Sequence, residues 1–274
     1  MDRPRARPAT PDDYPRYTEL LAELGVDDPV PPREKWEAEL LPNILFLERA
    51  GQPVGYGLTM VIGELGYVMN VVVSPQARGR GIGAELMRAI AERLRGAGCR
   101  RWCLNVKVDN VPALRLYARF GLTKAYDTAA LRMPWSRVDA LPEGPTGTTA
   151  SLLEATAHGP FEERFRLPPG TLAARRARRG RVVVALTEPS ASASVAVAGV
   201  AMFDPAYPGA FPFRVARPDL ARPLLEAMRA WARPEHDHVG LTVEDDPALD
   251  ATLRAAGAQV RFELVYMEGE IGPR

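Results

Sequence analysis

Three glycines stand between a β-branched run and an amphipathic helix in NVVVSPQARGRGIGAELMRAIAERL, residues 70–94, and Arg78 and Arg80 lie among them. Few structures satisfy this arrangement. A strand that leads into a crossover helix brings the helix N-terminus beside the strand's C-terminal end. The first-turn amides have no intrahelical partners, and their dipoles sum to about half a positive charge. Glycine permits positive φ and close approach of a ligand to the backbone. The segment therefore predicts an anion site for phosphate or pyrophosphate, with arginines adding charge and forked donors.

Other features narrow the class. A chain of 274 residues, 46% hydrophobic and 25% charged, suits one large or two ordinary globular domains. A net charge of +1 argues against an electrostatic nucleic-acid binder. No stretch approaches the roughly 20 apolar residues of a membrane span. The opening MDRPRARPAT lacks the apolar core of a secretory signal. Cys99 and Cys103 have no companion histidines and make neither a disulfide framework nor a zinc site. They are expected to be reduced and buried, in a cytoplasmic protein without metal or membrane partner. His158, His236 and His238 all lie in the second half, and HDH reads as a polar loop.

Periodicity and punctuation predict the elements. Thr10, Pro11 and Asp13 form a capping-box signature for a helix ending at Gly25. A second helix is expected near REKWEAELL, then a hairpin around AGQP and a strand GYVMNVVV. The helix after the glycines, about residues 84–95, places Leu86, Met87, Ile90 and Leu94 on one face. A strand RRWCLNVKV precedes a helix capped by Asp109 or Asn110, with Pro112 early and Gly121 past its end. SRVDALPEGPTGTT reads as a linker. Beyond it the order strand, helix, strand, helix, strand recurs, with Gly257 answering Gly121, which points to internal duplication with a boundary near residue 140.

The phosphate ligand is not set by a Walker loop, because neither Lys nor a hydroxyl follows Gly83. A dinucleotide fingerprint fits weakly, since the strand follows a hairpin and no acidic residue ends the next strand.

VVVSPQARGRGIGAELM resembles the acyl-CoA-binding motif of the GNAT acetyltransferases, with its core at Arg78, Gly81 and Gly83. DNVPALRLYARFGL is similar to the same family's downstream motif at Asn110, Leu116, Tyr117 and Gly121, with Leu122 in place of the family's Phe. The resemblance covers about residues 5–135. It implies an α/β fold with a mixed sheet, in two tandem GNAT-like domains: 1–138 catalytic, 139–274 degenerate.

The resemblance also implies a chemistry. Val71, Val72 and Val73 would pair their backbone with the pantetheine arm of acetyl-CoA. Amides of Arg78, Gly79, Arg80, Gly81, Ile82, Gly83 and Ala84 would cradle the pyrophosphate, and Asn110 would lie beside the cofactor. A backbone N–H near Val72 would polarise the thioester carbonyl. Tyr117 takes the family's general-acid position; by spacing alone it is a core aromatic. For the base, Glu64 competes with a water chain and with its own plainer reading as a solvated turn carboxylate.

In the second half, DLARPL aligns with RGRGIG and has no glycine, Pro223 removes an amide, and Leu253 replaces Tyr117. That half is expected to be structural and to wall the acceptor site. The arginine run at residues 175–181 reads as a solvated helix face, or as a contact for an acidic acceptor or the CoA phosphate. The expected activity is acetyl transfer to a primary amine, first of a small molecule, alternatively of a protein or peptide; a non-catalytic CoA sensor is the rival class. The expected assembly is a monomer with two pseudo-symmetric domains, or a homodimer.

Overall fold

The computed structural model describes residues 4–26, 29–177, 180–189 and 195–272. It divides into two compact units. The first holds the chain up to Ala125 and again from Tyr266; the second runs from Tyr126 to Val265.

In the first unit come β1 (Arg5–Pro8), α1 (Tyr14–Leu21), α2 (Arg33–Lys35), β2 (Ile44–Arg49), β3 (Gln52–Ile62), β4 (Leu65–Val73), α3 (Ile82–Gly96), β5 (Arg101–Lys107) and α4 (Val111–Arg119). Strands β1 to β4 pair antiparallel in sequence order, and β5 joins β4 in parallel. α1 starts as expected: the Thr10 N–H donates to Asp13 at 2.7 Å, and Gly25 ends the helical run at φ 59°. The second predicted helix is regular for only one turn; Trp36–Leu40 widens into a π turn that seats Trp36, fully buried, beside Tyr17. α3 opens two residues earlier than expected and buries Ile82, Leu86, Met87, Ile90, Ala91 and Leu94, the stripe its period demands.

The second unit contains β6 (Thr123–Pro134, from Tyr126 on), β7 (Thr149–Leu152), α5 (His158–Arg164), α6 (Thr171–Arg176), β8 (Val182–Pro189), β9 (Val195–Asp204), β10 (Gly209–Val215), α7 (Ala221–Arg229), β11 (His238–Glu244), α8 (Pro247–Ala255) and β12 (Gln259–Glu270, to Val265). β7, β8, β9 and β10 pair antiparallel, β11 is parallel to β10, and β6 runs antiparallel to β11. α7 buries Leu224, Leu225 and Met228 completely.

The compact units do not follow the boundary near residue 140. The segment read as a linker carries Val138 and Leu141 into the core of the second unit. The end of β12 returns to the first unit, where Glu268 meets Arg101 at 2.7 Å and the Ile271 N–H donates to the Arg100 carbonyl. The arginine run is also not a solvated face where it is described: Arg175 is buried against the Phe211 ring and Arg181 pairs with Asp204. Residues 178 and 179 of that run lie outside the described residues. Cys99 and Cys103 are buried and form no disulfide. No described helix is long and apolar enough to cross a membrane.

Candidate active site

The site grows from a fault in β4. Its register with β3 slips between Leu58 and Thr59, leaving Met69 as an extra residue. A bulge of this kind bends a strand and raises its twist. Beyond it β4 leaves β5: the two pair only from Leu65 to Tyr67, opposite Arg101 to Cys103. The remaining halves open into a V.

Strand alternation says which groups face the opening. The Ser74 N–H donates to the Val54 carbonyl at 2.8 Å, so Val72, two residues back, also directs its backbone to β3. Val71 and Val73 direct theirs into the V, where β5 has withdrawn. The Val73 carbonyl there accepts from Arg78 Nε at 3.0 Å. The backbone N–H groups of this stretch that face the V are thus those of Val71 and Val73, on either side of Val72.

At the wide end, Gly79 and Gly81 adopt φ 73° and 79°, and Gly81 is the left-handed N-cap of α3. A Cβ at Gly81 would meet nothing within 4 Å, so the demand for glycine there is conformational. Gly83 answers a different need, since its Cβ would come 3.1 Å from Leu116 on α4. Within residues 78–84, the amides at the two ends are already engaged. The Arg78 amide donates to Pro75 and the Ala84 amide to Gly81. Among the described residues, the amides of Gly79, Arg80, Gly81, Ile82 and Gly83 have no hydrogen-bond partner. The Arg78 side chain ties Val73 to Glu23, at 2.8 Å from the carboxylate, while Arg80 is exposed and makes no ion pair among those residues.

Tyr117 lies buried on α4, and its hydroxyl has no hydrogen-bond partner among the described residues. Burial pushes the phenol up to about 12, so it keeps its proton at neutral pH. Asn110, not Asp109, caps α4, accepting from the Ala113 N–H at 3.2 Å. Glu64 does not reach this region. It sits in the turn before β4, at the paired end of the V, two-thirds exposed and 3.4 Å from Arg100. That is roughly 20 Å along the strand from Asn70. The residues that do stand where the strands part are Tyr67 and Asn105, whose Nδ2 donates to the Tyr67 hydroxyl at 3.2 Å. Sequence gave no signal for this pair, because it depends on the register of β4 with β5. HDH holds a His238–Asp237 contact of 2.6 Å, and no metal-binding group occurs among the described residues.

Comparison with known proteins shows what this geometry is similar to. Residues 10–122 match the model of the acetyltransferase (GNAT) family. That match covers less than half of the chain, which is similar to the family over this segment. The chain is 31% identical over 94 residues to a Bacillus subtilis protein described as a ribosomal protein bS18-alanine N-acetyltransferase, covering 33% of this chain and 62% of that one. It is 40% identical over 81 residues to the mycothiol acetyltransferase of Tsukamurella paurometabola, covering 30% of this chain and 26% of that one. The chain thus spans less than two thirds of either relative's length. Over the whole chain, the fold is that of a GCN5-related N-acetyltransferase from Sphaerobacter thermophilus (TM-score 0.71, 21% identity, 100% and 97% coverage). It is also that of a tandem GNAT protein from the clavulanic acid biosynthesis pathway (TM-score 0.65, 19% identity, 99% and 100% coverage).

Proposed function

We propose that the first unit transfers an acetyl group from acetyl-CoA to a primary amine, and that the acceptor is a small molecule. The observation that carries this reading is the row of five amides from Gly79 to Gly83 without a partner among the described residues, at the mouth of a V faced by the backbone N–H groups of Val71 and Val73. The amides and Arg80 hold the pyrophosphate. The open edge of β4 pairs with the pantetheine, and an N–H of Val71 or Val73 stabilises the oxyanion. The amine nitrogen attacks the thioester carbon, the C–N bond forms and the C–S bond breaks. Tyr117 gives its proton to the departing sulfur. The ammonium proton leaves to water.

Relatives act on both kinds of acceptor: one is named for an alanine of a ribosomal protein, another for mycothiol. Segment 139–274 is a degenerate repeat in this reading, built on the same plan without the loop. Cys99 and Cys103, neither of them in a disulfide, fit a reducing compartment such as the cytoplasm. Calorimetric titration with acetyl-CoA, followed by free-thiol release with a panel of amines, tests the proposal. One site per chain and amine-dependent release are expected. No binding defeats the proposal; binding without release makes the protein a CoA sensor.

A further inference from the structure

Independently of the acetyl-transfer reading, we propose that the second unit binds a free α-amino acid with an apolar side chain, in the gap between β10 and β11. The gap holds a cavity of ≈ 320 Å³, near the lower end of the roughly 300–1,000 Å³ of small-molecule pockets. It opens because these parallel strands pair only at Gly209–Gly240 and Ala210–Leu241, and β10 shifts its register with β9 before Phe213. Beyond that point each strand lends the cavity one wall. Phe165, Phe213, Val215 and Leu249 also border it, and their rings and methyl groups suit an apolar side chain.

The two walls carry opposite charge. Arg214 on β10 and Arg166 in the turn after α5 supply the basic wall. Glu244 at the end of β11, followed by Asp245 and Asp246, supplies the acidic one. Arg214 and Glu244 pair with each other and tie the walls together. One Asp246 oxygen accepts from the Leu249 N–H at 2.9 Å. Arg166 and Asp245 make no ion pair among the described residues. A ligand of one sign is attracted by one wall and repelled by the other, whereas a dipolar ion meets both. Beyond the acidic wall, an adjoining hollow adds Asp127, Asp250 and Glu263, the last two sharing Arg254. The ligand's ammonium group therefore points to Asp245 and its carboxylate to Arg166. The backbone at these two positions is strained. Arg166 and Asp245 adopt φ 51° and 50°, two of the three non-glycine positive values among the described residues. Their N–H groups donate to the carbonyls of Glu163 and Asp127, at 3.1 and 3.2 Å, so each charge stands on a fixed backbone. Strain of this kind gathers at ligand sites, where the surrounding fold holds it in place.

The test is calorimetric titration of the full chain with leucine and phenylalanine, each beside the matching amine without the carboxylate and the matching acid without the amine. At least one amino acid should bind at one site per chain, about tenfold or more tighter than either half-molecule, the loss of one charge-assisted contact. Asp245→Asn keeps a residue that tolerates the left-handed region, and Arg166→Gln removes the opposite charge. Each should weaken the amino acid about tenfold or more while the unfolding transition stays that of the wild type. Failure of both amino acids to bind, equal affinity for a half-molecule, or binding untouched by either substitution overturns the proposal. An amino acid held in the first unit as an acceptor would give the last of these results. None of these outcomes depends on whether acetyl-CoA binds.

Discussion

Both units contain a parallel strand pair that parts after two or three paired positions, and the two gaps are lined differently. In the second unit, β10 and β11 pair only at Gly209–Gly240 and Ala210–Leu241, and the register of β10 with β9 breaks between Ala210 and Phe213. A cavity of ≈ 320 Å³ remains there, bordered by Phe213, Val215, Val243 and Leu249, but a buried Arg214–Glu244 ion pair also lines it. The next loop differs more. Pro218–Leu220 winds straight into α7 with no left-handed residue, and the Ala221 amide donates to Pro218. Pro223 sits against Gly144, and Arg222 lies 3.3 Å from the Asp139 carbonyl. Asp219 supplies an anion near the helix N-terminus. The two units thus share a bulge and a helix cap, Asp246 on Leu249 matching Asn110 on Ala113, while the loop before α7 has none of the left-handed glycines of the loop before α3.

The largest expected effect tests whether chemistry resides in the first unit alone. Tyr117→Phe should lower kcat by about 100-fold or more with acetyl-CoA affinity unchanged, whereas Leu253→Met, at the matching place, should leave kcat as it is. With the phenol near 12, the wild-type rate should show no basic limb from Tyr117 below about pH 11. Glu244→Gln removes one partner of a buried pair and leaves Arg214 unmatched. It should cost about 3 kcal/mol of stability by denaturant titration while acetyl-CoA binding is retained. Gly81→Val forces a β-branched residue to φ 79° and should weaken acetyl-CoA binding at least about tenfold in calorimetry; equal affinity would remove the loop from the site. Smallest is Arg78→Ala. Its side chain bridges Glu23 and Val73 at the surface, and the loss should stay below about 1 kcal/mol in either binding or stability.

How much of this was legible in the residues follows from how local each feature is. Gly79 and Gly81, the Asn110 cap and the stripe Leu86, Met87, Ile90 and Leu94 depend on neighbours a few positions away, and all could be read. The bulge at Met69 could not, because β4 has the same apolar character on either side of the slip. Without it, residues alone could not say which backbone groups from Val71 to Val73 face β3 and which face the V. Glu64 attracted attention as the nearest acid in sequence, but strand length carries it to the wrong end of β4. The pairing of Asn105 with Tyr67 and the burial of Val138 and Leu141 rest on contacts between distant segments, which no local pattern encodes.

The division of β12 between the units has a consequence for how the polypeptide emerges from the ribosome. The first unit is the first to be translated, yet its sheet lacks a strand until residues 266–270 have left the exit tunnel. Nascent chains stalled before that point should hold an unfinished first unit, and a gene cut at codon 140 should express two incomplete fragments in place of two domains.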